Sequence, residues 1–165
     1  MASSAHDPVE WSRQRWIEQE QPLPEQFSAM AAVLRTHQAM CAIIDAALRT
    51  HDLTRTGYLL MTTLMMSRDR TRPLGQLGKH LMVHPTTVTL VVDQLEKREL
   101  VTRTPHPTDR RTVLASLTPA GTALLDKATK ALADVEFGLT GVSEGLSVQL
   151  VDVLREARAR IDDAG

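Results

Sequence analysis

Residues 84 to 121, HPTTVTLVVDQLEKRELVTRTPHPTDRRTVLASLTPAG, change their hydrophobic period twice, and no other feature limits the fold as much. Pro85 suits the first position of a helix whose apolar stripe is Val88, Val91, Val92 and Leu95, at steps of three and four. After Glu99 the period becomes two. Leu100 to Thr104 and Thr112 to Leu117 are β-rich, and the segment Pro105 to Arg111 between them is too polar and proline-rich for strand. Thr118-Pro119 then opens another helix. Upstream, Leu74, Leu77 and Leu81 mark a short amphipathic helix, and Met82-Val83-His84 is a three-residue turn. Two short helices across a tight turn, followed by a hairpin, predict a winged helix-turn-helix.

The face opposite the Val88/Leu95 stripe carries Thr86, Leu90, Asp93 and Lys97, flanked by Thr89 and Gln94. It is small near its start and suits entry into a DNA major groove. Threonine hydroxyls can meet base edges there, and a leucine can meet a thymine methyl. The same threonines also suit ordinary N-terminal capping, and Leu90 suits a contact with a neighbouring subunit. At the hairpin tip, Arg110 and Arg111 can enter a minor groove. Asp109 is expected to hold the Arg111 guanidinium in one orientation; the alternative is a surface ion pair of little consequence.

Charge is segregated in the same direction. The formal net charge is −1, yet Arg68 to Arg111 holds nine Lys/Arg against five Asp/Glu, leaving +4 there and −5 elsewhere. A basic middle fits a polyanionic partner, although a solvated basic face would read the same way. Aromatic residues are 3% of the chain while Ala, Leu and Val dominate, which favours packed helices. A single cysteine, Cys41, leaves no disulfide framework and no C-x-x-C motif. No uninterrupted apolar run approaches the roughly 18 residues that cross a bilayer. The first residues, MASSAHDPVEW, carry neither a basic nor an apolar targeting segment. A cytoplasmic protein with no membrane partner is expected.

Toward the termini, Asp7-Pro8 with Glu10 predicts a short helix from Pro8 to about Gln19, ended by Pro22 and Pro24. Phe27, Met30, Leu34, Cys41, Ile44 and Leu48 form one stripe of a long helix over 25–50, with His37 in the slot between Leu34 and Cys41. Thr54 caps a helix carrying Tyr58, Met61, Leu64 and Met65, and Arg68 to Pro73 reads as a polar break. Leu124, Leu125, Ala128, Leu132 and Val135 line one C-terminal helix; Ser147 starts another with Leu150, Val153, Leu154, Ala157 and Ile161. These stripes lie at opposite chain ends and give a monomer little to pack between them. Joining them across a two-fold axis would bury them and set two recognition helices about 34 Å apart.

The order Leu74-x-x-Leu77, Pro85-Thr86-Thr87-Val88-Thr89, Val92-Asp93-x-Leu95-Glu96-Lys97, Leu100-Val101-x-Arg103, Asp109-Arg110-Arg111 and Leu117-Thr118-Pro119-x-Gly121 resembles the MarR family of bacterial transcription regulators. The resemblance is strong over 74–121 and weaker over 25–162. It implies a mainly α protein with a small β-hairpin wing, dimerised through its N- and C-terminal helices. The homodimer would read a pseudo-palindromic operator, with Thr87 and Arg103 among the contacts, and a small aromatic or phenolic effector would often release the DNA. Two positions depart from the family pattern: Leu90 stands where arginine is common, and Glu99 stands where glycine usually ends the recognition helix. Either a left-handed cap at Glu99 is strained or the helix exits differently there.

Trp11 and Trp16 lie in an N-terminal extension that resembles the extra helix of the urate-responsive branch, where a tryptophan contributes to the ligand site. The acidic motif expected after it is missing. Trp16 therefore either touches a ligand or packs the extension on the dimer. His37 and Cys41 either line a pocket between the dimer helices and the wing domain or are a hydrogen-bonded core histidine and a small buried cysteine. Peroxide sensing in the family resembles chemistry by a cysteine near Met30, about three turns from Cys41. The scattered histidines disfavour a metal site, and no cofactor is implied.

The expected organisation is an extension over 1–24, a dimerisation region from 25–53 and 118–165, and a DNA-binding domain over 54–117. The expected function is a sequence-specific, double-stranded DNA-binding repressor released by an effector. A winged helix that binds protein through Leu90 is the alternative. No Ser/His/Asp arrangement, glycine-rich phosphate loop or metal-spaced cluster suggests an enzyme.

Overall fold

Proline sets the first turn of four helices, where its missing N–H would have had no partner anyway. In a computed structural model describing residues 7–81, 83–109 and 111–164, these are α1 (Pro8–Glu18), α2 (Pro24–Arg49), α5 (Pro85–Lys97) and α6 (Pro119–Asp134). The others are α3 (Arg55–Met65), α4 (Leu74–Leu81) and α7 (Glu144–Ala164). Asp7 caps α1 by accepting from the Val9 amide, Thr54 caps α3 through Gly57, and Thr118 caps α6 through Gly121. The last helix starts a turn earlier than Ser147: the Ser143 hydroxyl accepts the Leu146 amide, and the Ser147 hydroxyl donates back to the Ser143 carbonyl.

The hairpin is β2 (Val101–Pro105) against β3 (Val113–Leu117), antiparallel, with Val101 opposite Leu117 and Pro105 opposite Val113. Pro105 thus ends a strand, where a residue lacking an N–H is tolerated. The expected polar break before α4 contains a third strand, β1 (Thr71–Pro73), pairing with the other edge of β3 so that the sheet order is β1-β3-β2. Three residues are too few to show a period, so only the paired fold reveals it.

One core serves α3 to α6 and the sheet. Leu60, Met61 and Leu64 of α3, Leu77 of α4, Val88, Val92 and Leu95 of α5, Val101 and Ala115 of the sheet, and Leu125, Ala128 and Leu132 of α6 are all buried. The terminal helices contrast with this. Leu48 is the sole buried residue of α2, and α1 has none. Met30, Val33 and Leu34 of α2, and Leu146, Val151, Val153 and Ile161 near and along α7, face outward. By length and composition α2 could cross a membrane, its apolar window having mean hydropathy 1.2 with none of it buried. Counting uninterrupted apolar residues missed this, because Ala and Met raise the average without forming a run.

The wing and α6 meet at Gly121, where a Cβ would lie 2.1 Å from the Leu100 carbonyl oxygen and 2.8 Å from a Leu117 methyl. No side chain fits there without moving backbone. Replacing Gly121→Ala should lower stability by at least about 1–3 kcal/mol, read as a fall in the urea midpoint. Gly75→Ala, with nothing within 4 Å of the added carbon, should leave the midpoint unchanged or slightly raised; equal midpoints for the two variants would contradict this packing.

Candidate nucleic-acid interface

Helix α5 is seated by Val88, Val91, Val92 and Leu95, all buried, so the opposite arc faces out as the spacing predicts. Leu90 is 58% exposed, and Thr86, Thr89, Gln94 and Lys97 are exposed around it, with Thr87 half-buried. The N-terminus is capped by His84, whose Nδ1 accepts the Thr86 amide at 3.3 Å and pairs with the Thr86 hydroxyl at 3.0 Å. The Thr89 hydroxyl donates to the Pro85 carbonyl. At the other end the Glu99 amide donates to Glu96 and the Leu100 amide to Leu95. That is a Schellman ending with Glu99 in the left-handed region at φ 57°. The strained cap is therefore present, and the side chain there carries a steric cost of about 1–2 kcal/mol.

Arg103 does not project from the surface as a DNA contact would. Its guanidinium sits 2.5 Å from Asp93 and 3.2 Å from Glu96 and donates to the Thr89 carbonyl, while its amide donates to Glu96. It fastens β2 to α5 and consumes Asp93 in doing so. Arg98, which the sequence reading did not single out, works similarly on the helix end: it donates to the carbonyls of Asp52 and His51, just past α2. Neither role is visible in spacing, because the partners lie on other elements.

The wing tip is organised by acceptors. His106 Nδ1 accepts the amides of Thr108 and Asp109. Asp109 accepts the Arg111 amide at 3.0 Å and the Thr112 hydroxyl at 2.6 Å. The expected pairing of Asp109 with the Arg111 guanidinium is thus replaced by a cap on the turn itself, the carboxylate being committed to nearer donors. The Arg111 side chain instead lines a cleft of about 710 Å³ between wing and α4, together with Lys79, Gln76 and His106. Arg110 lies outside the described residues.

The effector candidates separate. Trp16 stacks on Phe27 with ring centroids 4.0 Å apart, and its indole N–H donates to the Pro22 carbonyl. It holds α1 against α2, beside a cleft of about 380 Å³ that it lines with Trp11 and Arg15. His37 is exposed rather than a core histidine. Cys41 is half-buried, with its sulfur 3.3 Å from His37 Nε2 and accepting from Arg55, which also donates to Asp45 at 2.7 Å. His37, Asp45, Arg49, Arg55, Leu59 and Leu81 line a cleft of about 800 Å³ where α2 meets the winged-helix body. No group of metal-ligating side chains gathers among the described residues.

Hydrogen bonds from Thr112 and the Arg111 amide hold the Asp109 carboxyl below its usual range. A depressed folded value means that its contribution to wing order is complete above the ordinary carboxylate range and disappears only as pH falls through the lowered value. Asp109→Ala should therefore speed amide exchange at Arg111 and Thr112 near neutral pH while leaving the melting temperature of the whole protein alone. Unchanged exchange at both amides would show that the carboxylate does not order the turn.

A family model described as MarR family matches residues 53–113, from the loop before α3 to the start of β3. An uncharacterized HTH-type transcriptional regulator of Bacillus subtilis, YhbI, is 37% identical over 97 residues, covering 59% of this chain. The match spans 62% of that relative's length. The HTH-type transcriptional regulator SarZ of Staphylococcus aureus is 30% identical over 108 residues, covering 66% of this chain and 71% of its own. Among solved structures, Sco5413, a MarR family transcriptional regulator from Streptomyces coelicolor, superposes with a TM-score of 0.77 at 29% identity. That superposition covers 84% of this chain and 96% of the other. With the winged helix, its buried stripe and its capped wing in place, the chain belongs to the MarR family.

Proposed function

We propose that this protein is a sequence-specific, double-stranded DNA-binding transcriptional regulator that acts as a homodimeric repressor on a pseudo-palindromic operator. The observation that carries the reading is the exposed arc of α5, with Leu90 58% exposed, beside a wing in which Asp109 holds the Arg111 amide and the Thr112 hydroxyl and leaves the Arg111 guanidinium to the cleft beside α4. A helix seated by one stripe and bare on the other is the shape that enters a major groove. The names of YhbI, SarZ and Sco5413 as transcriptional regulators support it. A DNA target fits a cytoplasmic protein.

The second copy covers what this one leaves open. Outward Met30, Val33 and Leu34 on α2 and Val151, Val153 and Ile161 on α7 form faces larger than isolated surface leucines, the kind of surface that a partner covers. The same face accounts for the apolar average of α2 without a membrane. A small aromatic or phenolic effector fits the cleft of about 800 Å³ between α2 and the winged-helix body. Leu59 and Leu81 would meet its ring there, and Arg49, Arg55 and His37 its oxygen. Trp16, with its N–H already taken, is assigned to packing.

Binding to promoter duplex should fall steeply with salt, as phosphate neutralisation requires, and Arg111→Ala should weaken it by about 1–3 kcal/mol. Titration across ionic strengths checks both, and a flat salt response would point to protein binding through Leu90 instead. Removing residues 147–165 should abolish dimerisation and operator binding together, measured by sedimentation and by titration on the same sample. A stable monomer binding the palindrome with full affinity would refute the assembly.

A further inference from the structure

The outward arc of α5 is almost emptied of polar readers by the protein's own hydrogen bonds. At 100° per residue, Thr86, Leu90 and Gln94 fall within about 80° of one another, with Lys97 in the same arc a turn further on. The Thr86 hydroxyl is engaged with His84, and that of Thr89 donates to Pro85. Asp93 is held by Arg103, which is itself spent on Asp93, Glu96 and the Thr89 carbonyl. From Pro85 to Gln94 the helix carries no lysine or arginine. The first cation of the arc is Lys97, in the last turn.

Guanine is read in the major groove by a bidentate arginine or a lysine on O6 and N7, and the reading turns of α5 offer neither. They offer an apolar group, Leu90, and an amide, Gln94. Leucine methyls meet the C5-methyl of thymine, and a glutamine amide matches adenine N6 and N7. The two residues are one turn apart, about 6 Å along the helix, or roughly two base-pair steps of about 3.4 Å. Leu90 has no structural duty in its own chain, since the core lies on the opposite stripe.

Resting on the DNA-binding reading above, we propose that Leu90 determines operator specificity by packing on one thymine methyl in each half-site, with Gln94 reading an adenine about two base pairs away, so that α5 selects an A·T core.

The test uses the full-length dimer. Selection from a randomised duplex library gives the preferred site, and each thymine in it is then replaced singly by uracil, which keeps every hydrogen-bonding group and removes only the methyl. One thymine per half-site should be sensitive, with affinity falling about fourfold for each methyl lost, the effect of about one buried carbon. Cytosine at that position should abolish preference, and 5-methylcytosine should restore part of it. In Leu90→Ala the uracil effect should vanish while the melting temperature stays within a degree or two of wild type. Uracil insensitivity at every position, or the same sensitivity in Leu90→Ala, overturns the assignment while leaving DNA binding intact. Failure to bind any duplex, selected or random, overturns the DNA reading and this inference with it.

Discussion

The contact on which the rest of the molecule depends is the junction of Thr118 and Gly121 with the chain between α5 and β2. The Thr118 hydroxyl accepts the Gly121 amide as the cap of α6 and donates to the Glu99 carbonyl at 2.8 Å, while the Thr118 amide donates to Leu100. Gly121 lies so close to the Leu100 carbonyl that only hydrogen fits between them. One threonine thus ends a strand, starts a helix and closes the Schellman turn of another. Arg98 adds a second fastening, to the carbonyls just past α2. Helices α2 and α6 are consequently tied to the same end of α5.

This arrangement explains which parts of the fold were legible in sequence. Thr118-Pro119 and Gly121, Pro85, Asp7-Pro8 and Thr54 announce helix starts through chemistry confined to three or four residues, and the stripes of α5 and α6 fix which face is buried. What could not be read depends on partners far along the chain. Strand β1 exists only because β3 offers it an edge, and Arg103 is a clamp only because Asp93 and Glu96 stand beside it in space. Glu99 shows the two levels in competition: propensity asks for glycine, but hydrogen bonds to Glu96 and Leu95 and the anchor from Thr118 hold a glutamate in the left-handed region.

The candidate interface was legible in its positions and less so in its roles. Spacing alone placed Leu90, Gln94 and Lys97 outward, because helical geometry converts number into direction. It could not show that Asp109 serves the backbone of Arg111 instead of its guanidinium, since a carboxylate two residues before an amide and a hydroxyl has several partners in reach and the turn decides among them. His84 and His106 were passed over for the same reason. A histidine whose Nδ1 accepts backbone amides looks, in sequence, like any other histidine.

Fastening the recognition helix at its C-terminal end has a mechanical consequence. Helix α5 has 13 residues and is about 20 Å long, and its first turn, with Thr86, lies at the end remote from Thr118 and Arg98. The cleft of about 800 Å³ runs from Asp52 and Leu53, beside that fastened end, to Leu81 and Val83, just before α5 begins. A tilt of about 5° at that pivot carries the far tip through about 2 Å, over half of the roughly 3.4 Å base-pair step. In the proposed homodimer, two such levers related by a two-fold axis double the change in their separation. In the proposed repressor, a small displacement of one wall of that cleft is therefore enough to take both helices out of register with DNA.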